Sequence, residues 1–274
     1  MRWSPNGAVV VVTGASSGIG HCLSRELLRH GASVVAVARR KEPLIQLFHA
    51  DGVKESDGEL VPLAGDITDP STRQRIVEAA AELRRGQADL LVNNAGIGAI
   101  GPFVEATPQR LRRVMEVNFF AAAELTRLMI PLLQRGRAPV ICNISSVLGH
   151  CAVPGKSEYC ASKFALHGWS DSLRAELAAD GIQVTLVSPS TTKSEFFDAL
   201  IETGEDQTSR SLGSWTPEKV ASQAFRAIRL RRREVILSLG GKALVYADRF
   251  APSLVAAALA RSFPSHRRPD RGDG

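Results

Sequence analysis

Aromatic residues make up only 5% of this 274-residue chain. The apolar stretch Phe250–Ala260 falls short of the roughly 20 residues needed to cross a bilayer. The N-terminus lacks the basic stretch and apolar core of a secretory signal. Cysteine is sparse: Cys22, Cys142, Cys151 and Cys160 show no Cys-x-x-Cys spacing, and the six histidines form no ligand pattern in sequence. Neither a disulfide framework nor a metal site is therefore expected. Thiols without a disulfide pattern fit a reducing, cytoplasmic setting. Cys160 reads as a buried thiol rather than a nucleophile. The net charge is +6, from 34 basic and 28 acidic residues. The few aromatics and the absence of a nucleic-acid module argue against nucleic acid as partner, and the Arg231–Arg233 run reads as a solvated face.

What the chain does carry is a proton-transfer constellation. Ser146 precedes Tyr159 by 13 residues, and Lys163 follows Tyr159 by one helical turn. A phenol has an unperturbed pKa of roughly 10, and a neighbouring cation favours the phenolate. Residues i and i+4 share a helix face, so Lys163 is placed to lower the Tyr159 pKa. Ser146 is placed to donate to the same substrate oxygen.

A hydride carrier has its place at the N-terminus. Ala8–Thr13 reads as a buried strand, followed by Gly14-Ala-Ser16-Ser17-Gly18-Ile19-Gly20 and a helical period through Leu23, Leu27 and Leu28. Glycines at a strand-to-helix turn admit a phosphate close to free helix N–H groups. The spacing is G-x-x-x-G-x-G, and a plain tight connection is the alternative reading. A second run, Ser33–Ala38, ends in Arg39-Arg40 with no acidic residue at the strand end. An arginine there accommodates a 2′-phosphate, which favours NADP(H) over NAD(H). The alternative is that both arginines are solvated loop charges.

Apolar runs alternate with helical patterns, which predicts βαβ units and a parallel sheet in one α/β domain over residues 1–263. Strands are expected near 8–13, 33–38, 59–63, 89–92, 138–144, 182–188 and 234–238. Long helices are expected near 107–134 and 158–180, with Pro131 marking a kink or stop. Residues 240–263 form a helical extension in which Pro252 opens a new helix. The Pro/Gly-rich segment 264–274 reads as a disordered tail.

Taken in order, these motifs resemble the short-chain dehydrogenase/reductase superfamily, in its branch of NADP-preferring enzymes, over residues 8 to about 238. The resemblance implies a Rossmann-type doubly wound fold with a seven-stranded, mainly parallel sheet. It implies that Thr13–Gly20 is the cofactor loop. Asp66 would contact adenine, with Ile67 beside it, and Asn93-Asn94-Ala95-Gly96 would lie next to the adenosine half. Asn118 would hold a relay water and complete a catalytic set with Ser146, Tyr159 and Lys163. Lys163 would also bind the nicotinamide ribose. The two long helices would pair with those of another subunit in a homodimer or homotetramer.

One motif departs from the family pattern. After the sixth strand the chain reads Pro189-Ser190-Thr191-Thr192-Lys193-Ser194, with Ser190 in place of glycine. A Cβ there resists positive φ. The backbone of Thr192 and the hydroxyl of Ser194 would still meet the carboxamide. A lid over 190–215 carries Phe196 and Phe197, and Leu148, His150 and Val153 would form the opposite wall. This lining favours a lipophilic carbonyl or alcohol substrate, although His150 reads equally well as a structural histidine. Tyr246, Phe250, Leu254 and Leu259 would cover the domain body or a neighbouring subunit; the sharper reading has them touch a membrane surface. The function expected is an NADP(H)-dependent oxidoreductase interconverting a carbonyl and an alcohol. The alternatives are a non-catalytic NADP-binding regulator or scaffold, and a membrane-surface lipid-modifying enzyme.

Overall fold

The computed structural model describes residues 2–42, 44–45, 58–190, 192 and 215–262. Seven strands form one sheet: β1 (Val9–Thr13), β2 (Ser33–Ala38), β3 (Leu60–Ala64), β4 (Leu90–Asn93), β5 (Val140–Ile144), β6 (Gln183–Ser188) and β7 (Glu234–Ile236). Their order is β3-β2-β1-β4-β5-β6-β7, and every pairing is parallel. The chain reverses direction across the sheet between β1 and β4. In such sheets ligands bind in the crevice outside the carboxyl ends of the strands at that switch point.

The β-branched runs make these strands because both faces are covered. In β1, Val10 and Val12 pack with Leu23, Leu27 and Leu28 of α1 (Gly18–Arg29) and with Val220 and Ala224 of α6 (Pro217–Arg229). Val9 and Val11 face the other way, towards Ile76 of α2 (Pro70–Leu83) and Leu125, Met129 and Leu133 of α4 (Ala121–Leu133). Period-2 alternation thus splits one strand between two cores. Each fully buried Val or Leu contributes roughly 1.5–3 kcal/mol.

The strands lie within two or three residues of their expected ends, but the helices depart more. The segment expected as one helix over 107–134 is α3 (Pro108–Met115), a π turn at Glu116–Phe120, and α4. Pro131 lies inside α4, which stops two residues later at Leu133. The next long helix, α5, runs over Ser157–Glu176. Beyond β7, Ser238 caps α7 (Leu239–Phe250) by accepting from the Gly241 N–H at 2.9 Å, and α8 (Pro252–Ser262) begins at Pro252.

Of the two surfaces expected to receive the large residues of the extension, the domain body or a neighbouring subunit, the domain body takes few of them. Phe250 is 82% exposed, Leu254 74% and Tyr246 50%, while α7 packs on the body through Gly241 and Val245. Among the described residues no single helix is long and apolar enough to cross a membrane. Taken together, α7 and α8 reach that length and apolar composition, and a 119° bend separates them.

Candidate functional site

The carboxyl ends of β1 to β6 bring the sequence-predicted residues together. Gly14 leaves β1 with φ +67°, and a Cβ there would lie 2.9 Å from the Ala95 Cα. A Cβ on Gly20 would come within 2.4 Å of both the Gly14 carbonyl oxygen and the Asn94 Nδ2. No other residue fits either place. The half-buried Ser16, Ser17, Gly18 and Ile19 complete the turn. Ser17 occupies the N-cap of α1 without a side-chain cap bond, and the first turn holds no acidic residue. Uncapped N–H groups at a helix start attract an anion. Such a turn could hold a phosphate.

At the end of β2, Arg39 and Arg40 stand exposed directly after Ala38. After β3, Asp66 accepts from the Thr68 N–H at 2.9 Å, the Thr68 hydroxyl at 2.8 Å and Arg113 Nη2 at 2.9 Å. Burial works to raise its pKa, but these bonds and the guanidinium outweigh it and hold the carboxyl below its usual range. Ile67 turns its side chain into the core, while its carbonyl accepts from Arg73 Nη1 at 2.7 Å.

Asn93 is placed otherwise than expected. Its Nδ2 donates inward, to Thr126 Oγ1 at 3.0 Å and Asn143 Oδ1 at 2.8 Å. Asn143 continues the chain to the Ser170 hydroxyl at 2.8 Å, so the side chain of Asn93 ties β4 to β5, α4 and α5 instead of reaching the crevice. The residue that meets the glycine turn is Asn94, whose Nδ2 donates to the Thr13 and Gly14 carbonyls at 2.9 and 3.1 Å. Thr13 reciprocates: its Oγ1 accepts from the N–H groups of Asn94 and Ala95. Period-2 alternation at the strand end, which sends neighbours to opposite sides, was the available signal.

Ser146 N-caps a single 3₁₀ turn (Val147–Gly149), and its hydroxyl hydrogen bonds both the Leu148 N–H, at 3.1 Å, and the Tyr159 phenol. Lys163 stands one turn beyond Tyr159 on α5, donates to the Ile144 carbonyl at 3.1 Å and lies 5.7 Å from the Tyr159 ring centre. A Cβ on Gly96 would lie 3.7 Å from the Lys163 Nζ and 3.2 Å from Asn118 Oδ1. The π turn carries Asn118, whose Oδ1 accepts from the Ile97 N–H at 2.8 Å. Its Nδ2 donates to the Ile97 carbonyl and the Ser162 hydroxyl. Both amide hydrogens are thus spent, and the side chain fixes the segment after β4 against α5.

The pKa expectation is overturned. Burial pushes the Tyr159 phenol up to about 12, against the Ser146 hydrogen bond that works downward. Burial also brings the Lys163 ammonium down to about 8. Desolvation outweighs the cation–phenol attraction, so Tyr159 rests here as a protonated phenol. The native pKa of Lys163 lies below its ordinary 10.5, so the fold binds this proton less well than the unfolded chain between about 8 and 10.5. Wild type should therefore gain stability relative to Lys163→Met as pH rises through that window. Urea midpoints of both proteins at pH 7 and pH 10 check this; a pH-independent difference would contradict it.

Pro189 is buried after β6, its carbonyl accepting from the Val147 N–H at 2.9 Å, and Thr192 pairs with Trp215 in an isolated bridge. Ser190 does not need the glycine conformation: among described residues only Arg85, Ala138, Arg231 and Ser238 have positive φ outside glycine. Ser194, Phe196 and Phe197 lie outside the described residues. Leu148 and Val153 are half-buried beside the site. His150 is not a free wall residue. Its Nε2 is 2.9 Å from Ser188 Oγ and 3.1 Å from Glu234 Oε1. The structure also brings His150, His167 and Glu234 together, a set of ligand-type groups that sequence spacing does not reveal.

A family model described as short chain dehydrogenase matches residues 8–205. A dehydrogenase/reductase SDR family protein 7-like of Anopheles gambiae is 35% identical over 260 residues, which cover 91% of this chain and 81% of that protein. The ketoacyl reductase HetN of Nostoc sp. is 33% identical over 238 residues, 85% of this chain and 79% of that protein. Among solved structures, a Burkholderia phymatum short chain dehydrogenase/reductase in complex with NAD aligns with a TM-score of 0.82 at 25% identity. That alignment covers 92% of this chain and 96% of the other. A Burkholderia cenocepacia short chain dehydrogenase in complex with NADP aligns with a TM-score of 0.78 at 27% identity, over 94% and 99% of the two chains.

Proposed function

The chain belongs to the short-chain dehydrogenase/reductase family, and on that footing we propose an NADP(H)-dependent oxidoreductase that interconverts a lipophilic carbonyl and its alcohol. The observation that carries the reading is the Ser146–Tyr159 hydrogen bond with Lys163 one turn away, at the switch point beside the glycine cradle. The turn fits the phosphates of a dinucleotide through the uncapped N–H groups at the start of α1, while Gly14 and Gly20 let the backbone pack tightly against Asn94 and Ala95. Thr13–Gly20 would hold its phosphates, Asp66 its adenine, and Ala95, Gly96, Pro189 and Thr192 its remaining length. Arg39 and Arg40 would take the 2′-phosphate. When bound, the nicotinamide supplies or accepts a hydride.

Tyr159, protonated up to about pH 12, delivers its proton to the carbonyl oxygen in reduction. In oxidation the same oxygen takes a proton back. Ser146 shares that oxygen by hydrogen bond and offsets the charge that develops on it. Lys163, titrating near 8, is poised to replenish the phenol. Asn118 positions the segment after β4 that closes this space.

The lipophilic assignment draws on the apolar residues beside Ser146 and on the likeness to a ketoacyl reductase. Phe120, Leu128 and Phe164 lie exposed on the π turn, α4 and α5, which suits a homo-oligomer built across those helices. NADPH oxidation against a panel of ketones, aldehydes and ketoacyl thioesters tests the activity; no turnover with any of them, given tight NADPH binding, would leave the non-catalytic reading standing. Arg39→Ala should weaken NADPH roughly tenfold or more, the scale of a charge-assisted hydrogen bond, and leave NADH nearly unchanged. Equal weakening of both, read by fluorescence titration, would remove the 2′-phosphate role.

A further inference from the structure

We propose that His150, His167 and Glu234 form a binding site for a divalent transition-metal ion of the zinc type. The ion would clamp the loop after β5 to α5 and β7. One ligand atom from each residue lies within 4.8 Å of the other two. Ligands about 2.1 Å from a shared ion lie roughly 3.4 Å from one another, so closure takes shifts on the order of 1 Å.

The tautomer of a neutral His167 is set by its neighbour. Its Nδ1 is 3.0 Å from the Gly149 carbonyl oxygen, which can only accept, so Nδ1 carries the hydrogen and Nε2 presents a lone pair. A ligating histidine that donates its other N–H to a backbone carbonyl is the usual outer-shell arrangement around a metal. His150 Nε2 already meets Glu234 Oε1 at 3.1 Å and Ser188 Oγ at 2.9 Å, so three polar atoms converge before any ion is added. The two imidazole rings lie with their centres 4.3 Å apart, tilted by 59°. Asp171 stands beside His167 without joining the set. Its Oδ2 stands 3.6 Å from His167 Nε2, too long for a hydrogen bond, while its Oδ1 is taken by Arg174 and Arg233.

Support is rigid on every side. Glu234 is held in β7 by its pairing with Leu186, and His167 sits in the middle of α5. Two imidazoles and a carboxylate select a borderline ion such as Zn²⁺ over Mg²⁺ or Ca²⁺, which take oxygen ligands. His167 is one turn beyond Lys163, and His150 lies four residues beyond Ser146. An ion here would brace the two segments that carry Ser146 and Tyr159, and the site stands whether or not the oxidoreductase reading does.

The full-length protein, stripped with chelator and titrated with Co²⁺, should give one saturable equivalent with a visible d–d band. Zn²⁺ should bleach that band and raise Tm. Glu234→Gln and His167→Gln should each weaken binding by more than about tenfold, beyond the lower bound for outer-shell partners, while binding NADPH like wild type. Absence of a saturable band in wild type overturns the proposal. So does a band unchanged in whichever of the two variants folds, because the ion would then sit elsewhere.

Discussion

Tyr159→Phe should fold, bind NADPH like wild type and lose carbonyl reduction by roughly 10²- to 10⁴-fold, the range for removal of a positioned general acid. The substitution deletes one oxygen from a half-buried ring and leaves the ring's packing in place. What disappears is the hydroxyl that is hydrogen bonded to Ser146 on the helix face of Lys163. Turnover should fall in kcat more than KM, because the proton is needed in the transition state and not in the bound complex. Single-turnover reduction with excess NADPH reads the chemical step. Activity within about tenfold of wild type, or roughly 1.4 kcal/mol, would take Tyr159 out of the proton-transfer role.

Arg110→Met should cost about 3–5 kcal/mol of stability, the scale for removing one partner of a buried ion pair. Arg110 Nε and Nη2 both reach Glu158 Oε1 at 2.8 Å, and the two side chains are 2% and 1% exposed. Burial presses the Glu158 carboxyl upward, but its own backbone N–H, Arg110 and the Ser157 hydroxyl outweigh it and keep the group ionised. Without Arg110 a carboxylate remains in the interior with its main counter-charge gone. The pair joins α3 to the first turn of α5, and Glu158 is the residue before Tyr159. Activity should therefore fall at temperatures where the variant is still folded. Urea unfolding gives the energy, and the double variant Arg110→Met/Glu158→Leu should recover most of it. A single-variant loss below about 1 kcal/mol, the median for an exposed pair, would show that the pair is not holding α5.

The strands and the glycine turn were legible because each rests on local residues: valine-rich runs, and glycines where backbone passes backbone at Gly14 and Gly20. Ser146, Tyr159 and Lys163 were legible for the same reason, since the helix period places two of them and the end of β5 the third. What stayed hidden depends on contacts distant in sequence. Alternation sends Asn93 and Asn94 to opposite sides, but which of the two turns inward is set by Thr126 and Asn143, 33 and 50 residues away. The pKa order of Tyr159 and Lys163 depends on burial that no spacing records. The His150–His167–Glu234 set spans three elements and has no sequence period.

The π turn at Glu116–Phe120 works as a phase shifter. Each residue of a regular helix advances about 100° around the axis, so the register of the turn sets the direction of everything after it. As built, Asn118 points to Ile97 and Ser162 while Leu125, Met129 and Leu133 still face the sheet. Deleting one residue would swing that apolar stripe roughly 100° away from its core. The length of this segment is therefore locked to both the site and the packing of α4.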